Sequence, residues 1–507
     1  TGASVSLAGD INGDGYADIV VGSPGLNGAG ARRGAVVVYV GQVSGVNASA
    51  YLTVPGQLDQ GRFGSAVATA GDVDGDGYAD VLLGAERFPS LGAATGQALV
   101  YAGGRAGLVL QATLSGSDVG ARFGAAVATA GDFDGDGAAE VLVGAPDFGT
   151  VGLLLEGQVR SWIGKVQRPS TAVNSPLVSI TPGTQFGGSV AIVPQVDSDA
   201  FPSILVGEPA FNTPVAFAGR VSQYHSQIGS IKPTAARTFP ATTSDGQFGE
   251  LVADAGDVDR DTWSDFIIAS PEFTGTGQPQ SRGRVVLYRG ASSGPVLSSW
   301  VAEGDQVNEV FGTSIAARGD INGDGYHDVL VGTPYWDSPT LQDCGKVWFY
   351  PGSASGLGAA TWTAEGTVAD QEFGAAISIA GDLDADGYSD VAISTVPAPA
   401  AIGAGPSRVS VYYGGPTGLP ASPAYSIVPT PPEPSFGLVV TGVGDVDGDA
   451  VSDLAVGIPT RLIPWSSGRV QVYSGVSGAL IRTLRGTVPG DGVSAAGGTP
   501  EQFAALI

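Results

Sequence analysis

The chain has 507 residues, a net charge of −26 and a single cysteine, Cys344. One cysteine excludes an internal disulfide, and no apolar run reaches the ~18 residues that a membrane-spanning helix needs. The 80 Gly and 33 Pro, with few long amphipathic stretches, favour many short strands joined by turns.

The charge is unevenly placed. Twenty-eight of the 49 acidic residues lie in copies of one loop, and the other 21 roughly balance the 23 Lys and Arg. The acidity is therefore local, and no nucleic-acid partner is expected. The chain starts abruptly at Thr1 with no leader pattern, which reads as a mature or trimmed form.

In chain order, the loop starts at Asp10, Asp72, Asp132, Gln195, Asp257, Asp320, Asp382 and Asp445, at intervals of 60 to 63 residues. Its clearest copy is Gly71 to Asp80. Asp72, Asp74 and Asp76 alternate, Gly77 follows, and Asp80 closes the set. Carboxylates brought together on one tight turn suit a hard cation such as Ca2+, which takes several oxygen ligands and tolerates irregular geometry. Without a cation they would only repel one another. The loop is not an EF-hand, whose twelfth position is Glu; here that position is Leu83, inside an apolar run that reads as a buried strand.

Each unit follows one plan. A Phe-Gly opens it, at Phe63, Phe123, Phe186, Phe248, Phe311, Phe373 and Phe436, with Thr1-Gly2 in that place in the first unit. A strand of small residues comes next, then the acidic loop, an apolar strand and a Gly-Ala-Pro-like turn such as Gly144-Ala145-Pro146. A third strand ends in an aromatic: Tyr39, Tyr101, Trp162, Tyr224, Tyr288, Tyr350, Tyr412 or Tyr473. A poorer fourth strand closes the unit. Four strands per unit predict an all-β propeller of eight blades of four antiparallel strands, with seven blades the alternative. The repeats run 1–62, 63–122, 123–185, 186–247, 248–310, 311–372, 373–435 and 436–502. Glu501-Gln502-Phe503-Ala504 looks like the opening of a ninth unit, which either helps close the ring or marks a chain that continues.

Phe-Gly, the Asp-rich loop and Gly-Ala-Pro at this spacing resemble the FG-GAP repeat of integrin α-subunit propellers, over essentially the whole chain. The resemblance implies a closed propeller with structural Ca2+ in the loops between the first two strands. It also implies partner binding on the opposite face. Integrin α propellers usually have seven repeats, so eight fit a stand-alone or microbial relative better.

Carried over by position, the implied ligands are Asp10, Asn12, Asp14, Tyr16 and Asp18 in the first loop and Asp72, Asp74, Asp76, Tyr78 and Asp80 in the second. The third offers Asp132, Asp134, Asp136, Ala138 and Glu140, and the fifth Asp257, Asp259, Asp261, Trp263 and Asp265. The sixth offers Asp320, Asn322, Asp324, Tyr326 and Asp328, and the seventh Asp382, Asp384, Asp386, Tyr388 and Asp390. The eighth offers Asp445, Asp447, Asp449, Val451 and Asp453. The seventh position in each set gives a backbone oxygen. The fourth copy, Gln195, Asp197, Asp199 and Ser203, is expected to be empty or weak, leaving about seven Ca2+ sites.

Arg318-Gly319-Asp320 spells a tripeptide that integrins recognise in their ligands, but its Gly-Asp belongs to the repeat and Asp320 is a loop ligand. His225 and His327, the two histidines, read as surface residues. Asn47-Ala48-Ser49 is a glycosylation sequon by pattern. Aromatics recur just after the Gly-Ala-Pro turn: Phe88, Phe148, Phe211, Phe273, Tyr335 and Trp336. On the face away from the cations they could stack on a sugar or receive a cation from a protein partner; the other reading is packing between loops. Together these features predict a secreted, cell-surface or periplasmic module, not inserted in a membrane, that binds a protein or glycan. A propeller-fold polysaccharide lyase or hydrolase and a piece of a larger adhesin are the alternatives. No catalytic set stands out.

Overall fold

A computed structural model describes residues 4–24, 33–42, 46–47, 51–56, 61–90, 93–132, 136–145, 147, 158–162, 177–178, 181, 184–199, 201–212, 218–227, 230–241, 246–275, 281–397, 405–430, 432–433, 435–458 and 469–485. Within these residues the chain is all β, with no helix. Eight antiparallel sheets of four or five strands follow one another along the chain, and a small two-stranded sheet, Pro89–Ser90 with Ala93–Ala94, is inserted in the second. The molecule is thus an eight-bladed propeller, not a seven-bladed one.

The sequence explains the order of strands within a blade. Innermost are Ser4–Gly9, Phe63–Gly71, Ala126–Gly131, Val190–Val193, Leu251–Gly256, Ser314–Gly319, Phe373–Gly381 and Val439–Gly442. They are rich in Ala, Ser and Gly because they converge on the axis. Ala128, Thr129, Val190, Ile192 and Arg318, from three blades, line one axial space.

The second strands, such as Asp80–Ala85 and Asp328–Thr333, are buried at every position. Both of their faces meet a neighbouring sheet, so the apolar run is continuous rather than alternating. The fourth strands alternate; Val296–Glu303 exposes most of its length. Blade 4 has a longer third strand, Arg220–Gln227, paired with both Ser230–Ile231 and Arg237–Pro240.

Large side chains fill the widening gaps between blades. Among the described residues there are eight apolar clusters, each shared by two neighbours. One of them joins Val5, Ile19, Val37 and Tyr39 of blade 1 to Val443, Ala455, Val470 and Val472 of blade 8. Arg482 Nε donates to the Val46 carbonyl across the same seam at 2.8 Å. These contacts close the ring. The opening Thr1-Gly2 and the tail at 501–504 lie outside the described residues.

The Phe-Gly and Gly-Ala-Pro signals turn out to be two halves of one contact between blades. Phe63, Phe123, Phe248, Phe311 and Phe373 each bridge to the glycine that precedes the third strand of the previous blade. The following glycine lays its carbonyl on the turn glycine of that blade. A Cβ on Gly84 would stand 2.1 Å from the Gly124 oxygen, and one on Gly22 would stand 2.2 Å from the Gly64 oxygen. Only a residue without a side chain permits that approach.

Antiparallel pairing sends the turns between strands one and two to one end of the ring. The turns between strands two and three, and the links between blades, lie at the other end. The acidic loops therefore share one face. They are also linked in series: the N–H groups of Ala79, Ser389 and Ser452 donate to the carbonyls of Asp10, Asp320 and Asp382 in the preceding blade, each at 3.0 Å.

Candidate metal centres

The second loop shows how the sequence builds the site. Asp72 Oδ1 accepts from the N–H groups of Gly75 and Asp76 at 2.7 and 3.0 Å, and Oδ2 accepts from Gly77 at 2.8 Å. The first carboxylate thus folds the turn around itself. At the far end Asp80, fully buried, accepts from Val73 at 2.6 Å and Gly103 at 2.7 Å. It thereby pins the loop to the start of its own strand and to the end of the third strand. Loops 1, 5, 6, 7 and 8 repeat this frame through Asp18, Asp265, Asp328, Asp390 and Asp453.

The turn places its fourth and sixth residues in the left-handed region. Gly75 and Gly77 have φ of 72° and 87°, Gly323 and Gly325 of 71° and 84°. Glycine occupies these positions at least strain. Where it is missing, Ala385 (64°), Ala450 (70°), Arg260 (58°) and Thr262 (79°) are forced into the same region. Of the seven loops that keep an acid at the ninth position, loop 5 is the one in which both positions carry side chains.

Carboxylate oxygens of the first, third and ninth positions lie within 4.8 Å of one another in loops 2, 5, 7 and 8: Asp72, Asp74 and Asp80; Asp257, Asp259 and Asp265; Asp382, Asp384 and Asp390; Asp445, Asp447 and Asp453. The fifth-position acids, Asp76, Asp261, Asp386 and Asp449, stand outside these groups. They are exposed, and each accepts from the N–H two residues on, at 2.9 to 3.0 Å. Loops 1 and 6 carry Asn12 and Asn322 at the third position, whose amides donate to Asp14 and Asp324 at 2.8 and 2.9 Å. In loop 3, Asp132 accepts from Asp136 and Gly137, and Glu140 is buried at the ninth position; Asp134 lies outside the described residues. The seventh-position residues, Tyr16, Tyr78, Ala138, Trp263, Tyr326, Tyr388 and Val451, are held by that N–H, so each carbonyl has a fixed place in its loop.

These residues fit a cation. The Oδ1 atoms of Asp74 and Asp447 are buried with no hydrogen-bond partner, which is costly for a carboxylate unless a positive charge faces it. Burial pushes Asp18, Asp80, Asp265, Asp328, Asp390 and Asp453 up to about 7, although two backbone N–H bonds pull each of them down. Asp74, Asp384 and Asp447 are raised by burial and then by neighbouring loop carboxylates. The donors are all oxygens, the set that Ca2+ prefers.

The fourth loop is built differently. Ser203 at the ninth position accepts from Gln223 Nε2 at 2.9 Å, as does Asp197. His225 lies between the two remaining acids, Nε2 at 2.9 Å from Asp197 Oδ2 and Nδ1 at 2.9 Å from Asp199 Oδ2. Lys232 Nζ reaches Asp199 at 3.0 Å. His225 is therefore a structural bridge rather than a surface residue. His327 likewise has a structural partner, its Nδ1 accepting from the Asp257 N–H at 2.8 Å. Loop 5 receives a cation too: Arg289 pairs with Asp259 and lies 3.9 Å from Asp261.

Reading the acidic loops alone misses these residues, because they come from another strand. A signal was present: His225 and Arg289 each follow the aromatic that ends the third strand, where the other blades carry residues such as Val40, Ala102 and Ser474.

The aromatics at the opposite end form several local contacts, not one continuous surface. Phe273 and Trp336 are 5% exposed. Arg220 covers Phe211 at 3.8 Å, Arg284 covers Phe273 at 5.0 Å and Lys346 covers Trp336 at 4.2 Å. Trp336 Nε1 also donates to Asp305 at 3.0 Å. Phe88 is half-buried between blades 1 and 2. Tyr335, at 38%, is the exposed member, while Phe148 lies outside the described residues. Arg318 of the Arg-Gly-Asp sequence pairs with Asp254 at 2.9 Å, and Asp320 accepts from the amides of its own loop.

Eight blades of antiparallel strands, with an acidic turn between the first two strands of most of them, define a β-propeller with repeated acidic loops. Residues 1–39, 63–101, 123–161 and 311–350 match the FG-GAP repeat family. Human integrin alpha-IIb is 36% identical over 177 residues, 34% of this chain and 16% of the relative. Integrin alpha-V of Gallus gallus is 32% identical over 228 residues, 43% of this chain and 21% of the relative. Integrin alpha-PS2 of Drosophila melanogaster is 32% identical over 216 residues, 40% and 14% respectively. The chain thus matches about a fifth or less of the length of these relatives. It is an eight-bladed propeller that carries four FG-GAP repeats and is similar to integrin α subunits over part of its length. No helix among the described residues is long and apolar enough to cross a membrane.

Proposed function

We propose that this propeller is a recognition module that works outside the cell, held rigid by Ca2+ and binding a protein or glycan through the loops opposite the acidic turns. The observation that carries the cation part is the buried, unpartnered oxygen of Asp74 and of Asp447, each set among carboxylates within 4.8 Å. Asp72, Asp74 and Asp80 and their counterparts would hold the ion. Ca2+ would neutralise the loop and tie together the ends of three strands. Its role is structural: these loops are joined to their own blade and the next by backbone hydrogen bonds, an arrangement suited to bracing the ring.

Recognition is assigned to the other end, where Tyr335 is an exposed aromatic. Tyr335 and Val307 lie there, and their segments are joined by Gln306, which donates to the Asp337 carbonyl at 2.6 Å and accepts from the Asp337 N–H at 3.0 Å. An aromatic exposed beside polar groups suits an interface anchor. The integrin likeness supports the same reading of a protein ligand.

The test is saturable binding of the calcium-loaded chain to panels of extracellular-matrix proteins and glycans. Binding is expected to weaken about tenfold or more in Tyr335→Ala with Val307→Ser, with the Tm unchanged. A ligand whose binding ignores both substitutions, or no saturable ligand in either panel, would contradict the assignment.

A further inference from the structure

We propose that in blades 4 and 5 a side chain of the third strand stands in for the metal ion, so that the residue after each blade's aromatic decides which loops take Ca2+. The inference rests on the cation reading above and divides the eight loops into two kinds.

The register fixes the position. His225 pairs directly with Ser203, the ninth residue of loop 4. Tyr288 pairs with Phe266, so Arg289 stands one step beyond, across from Asp265. Both cations therefore reach their loop from the same place. The equivalent residues Val40, Ala102, Tyr413 and Ser474 carry no positive charge.

Loop 4 is fully converted. Ionised carboxylates only accept hydrogen bonds. Both nitrogens of His225 are taken up by the two acids, Nε2 by Asp197 and Nδ1 by Asp199, and Lys232 adds a positive charge at Asp199. The two acids are thereby occupied by side chains, where a metal ion would otherwise sit. The loop has also lost its metal donors: Gln195 and Ser203 occupy the first and ninth positions, and Gln223 takes up both Asp197 and Ser203.

Loop 5 is half converted. It keeps all four acids, and three of them remain clustered. The Arg289 guanidinium nevertheless lies on Asp259, the third-position ligand, which is buried. A metal ion must displace that guanidinium before Asp259 can bind. The left-handed Arg260 and Thr262 further disfavour the loop conformation. Loop 5 is accordingly the weakest of the seven loops that keep an acid at the ninth position.

Trp263 gives loop 5 its own reporter, since the other loops have Tyr, Phe, Ala or Val at that position. Terbium luminescence excited through tryptophan would be titrated in the calcium-depleted chain. Arg289→Ala is expected to lower the half-saturating Tb3+ concentration about tenfold or more, the scale of losing a charged hydrogen bond. Adding Asp259→Asn should abolish the gain, and Trp263→Phe should remove the signal. Arg289→Ser, which copies Ser474 of blade 8, serves as a second variant. Metal analysis after desalting should find one more Ca2+ per chain in Arg289→Ala than in the wild type.

His225→Ala should gain no ion, and its loss of Tm should be the same with calcium as with chelator. Equal Tb3+ affinity in the wild type and both Arg289 variants would overturn the proposal for blade 5. Rescue of His225→Ala by calcium would overturn it for blade 4. If tyrosine-excited Tb3+ luminescence is present while the Arg289 variants match the wild type, this inference alone falls. If neither excitation shows binding, the cation reading falls with it.

Discussion

Blades 2 and 4 share one plan and neutralise their first turns by different means. In blade 2, Asp72, Asp74, Asp76 and Asp80 face no Lys, Arg or His among the described residues, and a buried oxygen of Asp74 has no donor. In blade 4, two acids are lost and the other two are bridged by His225 and Lys232. On the proposed reading, one turn takes an external ion and the other carries its own charges. The comparison points to a turn that needs compensation rather than a metal as such. Any cation that ties the turn to the third strand serves, and a covalently attached one cannot be chelated away.

The largest effect should come from emptying one turn of each kind. Asp80→Ala removes a ligand and leaves the amides of Val73 and Gly103 without their acceptor. A site held at about 100 times its dissociation constant contributes ~2.7 kcal/mol, and stranded amides add about 1–3 kcal/mol. Ser203→Ala in blade 4 removes one neutral hydrogen bond and should cost about 1 kcal/mol. Urea unfolding with calcium and with chelator separates the two: the Asp80 penalty should shrink without calcium, and the Ser203 penalty should not. Equal calcium dependence would erase the distinction between the blades.

Gly84→Ala tests the part of the frame that blades share. The new methyl group would meet the Gly124 carbonyl at 2.1 Å, and such overpacking costs about 1–3 kcal/mol. The loss should be the same with or without calcium, because it acts at the metal-free end of the blade.

The next effect is on pH. Burial holds Asp80 and its five counterparts at about 7 in the metal-free fold, against 3.8 for an ordinary Asp. Between these values the native state binds more protons than the unfolded chain, so in chelator its stability falls as pH rises through about 7. Calcium needs the ionised carboxylates, so its protection grows over the same range. The gap in Tm between calcium and chelator should therefore widen from about pH 5 to about pH 8. A gap that narrows would contradict the buried-acid picture.

The smallest effect should come from relieving strain in loop 5. Thr262→Gly, at φ 79°, should stabilise the chain by up to about 1 kcal/mol. The same change at Thr129, on a strand, should destabilise it.

The fold was largely legible because the repeat announces each blade separately. The buried runs from Asp80 to Ala85 and from Asp328 to Thr333 read as strands without any knowledge of their neighbours. The loop frame was legible for a similar reason: Asp72 and Asp80 bond within a few residues or to the same blade. Partners distant in sequence were hidden. Nothing local says that Gly84 is glycine because Gly124 of the next blade lies on it, or that His225 reaches back to Asp197. The recurring aromatics were visible, but their bonds were not. Phe211, Phe273 and Trp336 each have over the ring the basic residue that begins the third strand, Arg220, Arg284 and Lys346.

Differential scanning calorimetry of the intact chain, with Ca2+ and after chelation verified by metal analysis, tests most directly whether bound ions brace the ring. Several sites at ~2.7 kcal/mol each should lower the Tm by at least about 10 °C when stripped, with recovery on adding calcium. A Tm that stays the same after verified removal would contradict the role given to the acidic turns.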